Sequence, residues 1–239
     1  MKLHRKATRH SHRGVIGVES AIVMIAFVIV AAALAFVVLN MGFTTSQKAK
    51  TTVISSLGEG SSSMQVAGKV TGGGCTLAAG GCDTTPYLNA TAIPIKITSG
   101  GDEVSLSAAT TAVKYLSNSV EYDDIYDGPI YTAEHKSVSA AFTQATSESG
   151  TSFSDFDLAH PVTGNSPVST SAFIYWPQQS SANDILDEGE HAVLIVAYSA
   201  SDRPTALDTI KVELIVATGA SLTVERQIPV ITNTVVDLG

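Results

Sequence analysis

The side chains able to do chemistry are few and scattered. Beyond the first dozen residues the histidines are His135, His160 and His191, too far apart for an HExxH or similar ligand pair. There is no GxSxG elbow and no GxxxxGKS phosphate loop. Gly72-Gly73-Gly74 and Gly80-Gly81 lack the strand–turn–helix setting of a dinucleotide fingerprint. The chain therefore reads as a non-enzyme. One acidic stretch, Glu121 to Gly128, offers hard oxygen ligands beside a glycine turn. There Asp123, Asp124 and Asp127 suit Ca²⁺, although the spacing is not that of an EF-hand. A solvated acidic hairpin is the alternative, and Asp184 to Glu190 carries the same two readings. Cys75 and Cys82 are the only cysteines; they form either a short disulfide loop in an oxidising compartment or two free thiols. Asn89-Ala90-Thr91 is the single N-x-S/T sequon, a glycan acceptor if the segment is extracellular.

The elements that carry these residues are short strands. Runs of alternating or β-branched residues lie between turn clusters. They cover 93–98, 104–107, 111–116, 120–122, 130–133, 138–143, 172–176, 191–199, 208–218 and 221–228. Many short strands at such intervals predict an antiparallel sandwich or barrel. Ser and Thr make up 52 of the 239 residues, which keeps exposed strand faces soluble with few charges. The stretch 147–169, rich in Ser, Thr, Gly, Pro and Asp, reads as a long exposed loop.

The N-terminal region differs. Of 14 basic residues, Lys2, Arg5, Lys6, Arg9 and Arg13 precede the first acid, and the remaining nine face 22 acids. The bulk of the protein is thus acidic, which argues against nucleic acid as a partner. From Ala21 to Leu39 no residue has a polar side chain, and no charge occurs between Glu19 and Lys48. As a helix this run spans roughly 28 Å, close to the hydrocarbon thickness of a bilayer. A helix apolar on every side must be covered on every side, by lipid or by protein. Val53, Ile54, Leu57 and Met64 continue an apolar helical face. The helix is therefore expected from residue 15 to the mid-60s, fraying near Gly58 and Gly60 and ended by Gly72 to Gly74. Gly17 and Ala21, like Ala31 and Ala35, are small residues four apart, a spacing that lets helix backbones approach.

The basic leader predicts a cytoplasmic N-terminus with the remainder outside. A secretory signal peptide would need small residues after the apolar run, and Asn40-Met41-Gly42 fits poorly; a plain signal anchor fits better. Arg13-Gly14-Val15, with Glu19 the fifth residue counted from Val15, resembles the class III signal peptide of type IV pilin-like proteins. The resemblance implies cleavage after Gly14, a mature chain starting at Val15 and an apolar run retained after processing. Glu19 is either an interfacial carboxylate at the helix start or, by the resemblance, the acid that meets the free amine of a neighbouring subunit.

Several pieces together resemble archaellins, the archaeal flagellins. They are VIGVESAIVMIAFVIVAAALAFVVLNMGF after the leader, its continuation to Gly72, ILDEGEHAVLIV, and GASLTVERQIPVITNTVVDLG. The middle of the chain, from Cys75 to about Ser181, carries no resemblance. The family implies an α+β fold, a long hydrophobic helix followed by an antiparallel, Ig-like β-sandwich. Residues 1–14 would be the removed signal peptide, 15–71 the assembly helix and 72–239 the extracellular domain. It also implies a homopolymeric rotating filament at the archaeal cell surface, with insertion in the cell membrane before assembly. A prepilin-type peptidase and the motor and platform proteins would be its partners, and no cofactor would be needed. The rivals are an archaeal adhesive pilin and a membrane-anchored extracellular binding domain.

Overall fold

The computed structural model describes residues 13–61, 63–75, 85–147, 153 and 166–239. The chain divides into two compact units, Met1–Ser55 and Ser56–Gly239. Helix α1 runs from Arg13 to Ser61, 49 residues without a proline, or about 74 Å at the usual rise. It stops short of the expected mid-60s. Gly58 and Gly60 each weaken a helix by about 1 kcal/mol relative to alanine, and the next residues are claimed by the sheet.

Among the described residues the second unit holds thirteen strands and one helix. The strands are β1 (Met64–Val66), β2 (Thr71–Cys75), β3 (Tyr87–Ile97), β4 (Val104–Ser105), β5 (Thr111–Leu116), β6 (Glu121–Tyr122) and β7 (Tyr126–Ile130). Helix α2 (Val138–Ser147) follows, then β8 (Ser171–Gln178), β9 (Ile185–Leu186), β10 (His191–Ala197), β11 (Thr209–Val216), β12 (Leu222–Gln227) and β13 (Val235–Asp237). Seven strands form one sheet in the order β13-β2-β3-β10-β8-β7, with β1 also on β3; β12-β11-β5-β6 form a second sheet, and β4-β9 a small ribbon. The long β3 carries β1 at Ile95 to Ile97 and β2 at Tyr87 to Ala92 along the same edge.

The period-two pattern explains how the layers pack. Ala172, Ile174 and Trp176 of β8 face one way, with Leu194 and Val196 of β10 and Ile93 and Ile95 of β3. They meet Val113, Tyr115, Val212 and Leu214 of the four-stranded sheet, and this is the sandwich core. The intervening residues Phe173, Tyr175, Ile195 and Ala197 face the other way, under Ala141, Phe142 and Ala145 of α2. Phe142 and Phe173 meet edge to face, with centroids 5.2 Å apart. Central strands buried on both faces read as unbroken apolar runs, as in AFIYW.

Three expectations are corrected. Residues 138–143, read as a strand, are helix α2. Val138, Ala141, Phe142 and Ala145 stand at i, i+3, i+4 and i+7, one helical face, and Ser137 Oγ accepts from Ala140 N–H at the helix start (3.2 Å). The sandwich is not wholly antiparallel, because β7 pairs with β8 in parallel. Parallel neighbours need a crossover, and α2 is that crossover. Finally, Gly72 to Gly74 do not serve as a helix stop but form most of β2. A Cβ on Gly72 would lie 2.9 Å from a Leu88 methyl, and one on Gly74 2.9 Å from an Ile231 methyl and 3.2 Å from Asn233 O, so a side chain at either position would force its neighbours to shift. Of the expected loop, residues 148–152 and 154–165 lie outside the described residues, while Phe153 is buried against Phe173.

Candidate assembly surface

Every described side chain of α1 from Gly17 to Leu57 is exposed. Nineteen of these are large and apolar, from Val18 to Leu57. At roughly 1.5–3 kcal/mol for burying each side chain, leaving them in water forfeits tens of kcal/mol. No single face is responsible, since Phe27, Val28, Ile29 and Val30 in succession are all bare. The polar residues farther along hide their hydroxyls in the helix. Thr44 donates to Asn40 O (2.8 Å), Thr51 to Lys48 O (2.9 Å) and Thr52 to Lys48 O (2.9 Å). Such back-bonding lets a threonine enter an apolar contact with no unmet donor. Gly17 and Gly42 have nothing within 4 Å of where a Cβ would be, so both are open to close helix approach. Glu19 and Ser20 head a strip that continues through Val23, Met24 and Phe27. Arg13, Gly14 and Val15 form the first residues of α1; the leader from Lys2 to His12 lies outside the described residues.

The residues expected to bind a cation do not converge. Lys114 donates to Asp123 (2.9 Å) and also pairs with Glu121 (3.2 Å), which holds its ammonium pKa above the usual value. Asp124 Oδ1 accepts from the amides of Val113 (3.2 Å) and Tyr126 (3.1 Å). Asp127 lines a hollow with Asp184. Among the described residues no group of three or more His, Cys, Asp or Glu side chains is placed to hold a metal. In the second acidic segment Glu190 is buried and accepts from the amides of Ser180 (2.6 Å), Ser181 (3.2 Å) and Asp187 (3.3 Å). It organises a loop.

Cys75 ends β2 and is disulfide-bonded; Cys82 lies outside the described residues. Asn89 is half-buried within β3, between β2 and β10. Thr91 of the same sequon is wholly buried, its hydroxyl 2.7 Å from that of Tyr198.

Sequence spacing had no means of finding the cluster around Asp202. This buried carboxylate accepts from Thr170 (2.7 Å), Ser199 (2.8 Å) and Tyr122 (2.9 Å) at Oδ2, and from Ser201 (3.0 Å) at Oδ1. Burial pushes its pKa up, but the hydrogen bonds from Thr170, Ser199, Tyr122 and Ser201 outweigh burial and hold it below the usual value. Because Tyr122 belongs to β6 while Thr170 and Ser199 flank β8 and β10, the carboxylate ties the two sheets together. Its donors come from three separate places in the chain, so no motif announces it.

Comparison with known proteins accounts for nearly the whole chain. Residues 14–226 match the family model for archaeal-type flagellin. The probable flagellin 1 of Aeropyrum pernix is 34% identical over 220 residues, covering 91% of this chain and 92% of that protein. The probable flagellin 2 of Archaeoglobus fulgidus is 34% identical over 114 residues, 47% of this chain and 55% of the relative. Among solved structures, the archaeal flagellum of Methanospirillum hungatei strain JF1 has a similar fold, with a TM-score of 0.57 and 20% identity. It covers 92% of this chain and 98% of that one. Flagellin FlaB1 of Methanocaldococcus jannaschii has a TM-score of 0.53 at 17% identity, covering 74% and 96%.

Proposed function

The chain belongs to the archaeal-type flagellin family and is a structural subunit of a motility filament; from that premise we propose how this sequence builds one. The carrying observation is α1, a helix with its apolar side chains bare on all sides. Residues 1–14 act as a class III signal peptide, which a prepilin-type peptidase removes between Gly14 and Val15. In support, the family match begins at residue 14, where the basic leader ends. Before assembly the helix lies in the cell membrane. The motor and platform proteins then transfer it into a homopolymer, where the helices of other copies replace lipid. Both settings are apolar, so the transfer gains little hydrophobic free energy, and side-chain packing with a motor ATPase supplies the difference.

Glu19 sets the register of that packing. Its carboxylate meets the new amine of Val15 on a neighbouring copy, a pair that specifies position more than it adds net stability. Cys75 pairs with Cys82 in a disulfide, and the β-unit forms the extracellular surface of the filament. The role is structural and needs no cofactor.

Deletion of the gene, with tracking of single cells and electron microscopy of their filaments, tests this reading. Loss of swimming together with the filament is expected. Normal swimming with impaired attachment would overturn it in favour of an adhesive pilin. Mass spectrometry of the filament subunit is expected to give a chain beginning at Val15, and Glu19→Ala is expected to leave unassembled subunits in the membrane.

A further inference from the structure

Past the all-apolar run, α1 keeps a single apolar stripe. Phe43, Lys50, Val53, Ile54 and Leu57 fall on one helical face, and all five are exposed. Lys48, Thr52 and Ser55 fall on the opposite, polar face. Lys48 and Lys50 are the only charges between Glu19 and Glu59, so Lys50 alone puts a charge on the stripe. Among the described residues Lys50 takes part in no ion pair.

Lipid cannot cover this stripe. A hydrocarbon layer of roughly 30 Å takes up about 20 residues, which Ala21 to Leu39 already supply. Lys50 stands about 16 Å beyond Leu39 and Leu57 about 27 Å, past a headgroup layer only about 5–8 Å deep. The cover must be protein, and it must bring a carboxylate, because a charge covered without a partner is costly.

The β-unit supplies such carboxylates. Beyond residue 60 the chain holds 20 Asp and Glu against seven Lys and Arg. Three of these acids gather where the chain arrives from α1. There the amide and the hydroxyl of Thr98 both donate to Ser63 O (3.0 and 2.9 Å). The turn that follows carries Asp102 and Glu103, and Glu188 Oε1 is fixed to it by Ser99 Oγ (3.2 Å) and Gly100 N–H (3.0 Å). All three acids are exposed. A lone cation on an apolar stripe and a rim of carboxylates are complementary, and every copy presents both. A contact between two different patches of identical subunits is heterologous, so it propagates as an open helix instead of closing as a dimer.

We infer that the outer stripe of α1 docks on the β-unit of a neighbouring copy, with Lys50 meeting the rim formed by Asp102, Glu103 and Glu188. This rests on the polymerisation proposed above and names a second charge contact within it, distinct from that of Glu19.

The test uses filaments from cells carrying a single version of the gene. Lys50→Glu filaments should release subunits on warming about tenfold faster than wild type, as reversal of one arm of a covered charge pair implies. Asp102→Lys/Glu103→Lys should have the same effect, while the detergent-solubilised full chain melts as wild type because both side chains are exposed. Combining the three substitutions should restore release to within about twofold of wild type, and should restore the filaments themselves if a parent variant forms none. Lys48→Glu, on the polar face, should leave release unchanged. Absence of rescue in the combined variant would overturn the inference, as would an equal effect of Lys48→Glu. Rescue of Lys50→Glu by Glu59→Lys in place of the rim substitutions would also overturn it, by assigning Lys50 to a neighbouring helix. Failure of the wild-type chain to form a homopolymer would instead overturn the polymerisation reading itself.

Discussion

The helical unit and the β-unit solve the same problem in opposite ways. The β-unit covers its own apolar surface: Trp176, Tyr115, Tyr198 and Phe142 are wholly buried within one chain. Along α1 no comparable residue is covered, and Phe27 and Phe36 are over 70% exposed. The β-unit thus contains its own core, whereas α1 is one strip of a core that other molecules, or lipid, must complete. An insertion in the outer loops can be absorbed locally, but a change in α1 is repeated at every contact in the polymer.

Substitutions should separate the two units in order of effect. The largest is expected from Val30→Asp, which puts an unpaired charge into the middle of the apolar run. Filaments should be absent by electron microscopy while the β-unit of the full chain, in detergent, melts as in wild type. A lowered melting point there would show that the two units are not independent. Phe142→Ala should do the reverse, destabilising the β-unit by about 3–5 kcal/mol through the cavity left against Phe173; chemical denaturation of the full chain checks it.

Asp202→Ala should cost about 2–4 kcal/mol, because hydroxyls from Thr170, Ser199 and Tyr122 lose a charged acceptor. The same carboxylate makes stability pH-dependent. Its folded pKa lies below the ordinary value, so its contribution is fully present above about pH 5 and falls away as the pH drops through and below about 4. Melting points of wild type and Asp202→Asn should therefore converge as the solution is acidified, and a constant gap between pH 7 and 3 would contradict the assignment. Gly74→Ala should destabilise by about 1–3 kcal/mol, since the added methyl meets Ile231 and Asn233 O. Asp123→Asn is the smallest, within about 0.5 kcal/mol, as expected of one arm of an exposed ion pair. Calcium should leave the melting point of either form unchanged.

Much of this was legible in the sequence because it rests on local periodicity. An uncharged run of nineteen residues can only be a helix that something covers, and 111–116 alternates so regularly that the expected strand and β5 coincide. The class of fold follows from many such strands. What escaped was whatever depends on partners far along the chain. Val138 to Thr143 has β-branched ends that suit a strand, yet Phe173 and Tyr175 beneath it select the helical face. Once α2 forms, β7 and β8 become parallel neighbours, which a reading with a strand there could not contain.

The candidate sites divide in the same way. Composition and spacing by themselves determined the assembly helix, its basic leader and the position of Glu19, since each depends on neighbours a few residues away. Only the tertiary structure decided that the acids at 123 and 124 take separate partners while 127 lines a hollow, that Asn89 and Thr91 lie within a central strand, and that Asp202 joins two sheets. A carboxylate becomes a ligand, a cap or a clasp according to which donors the fold brings within about 3 Å of it, and those donors lie far away in sequence.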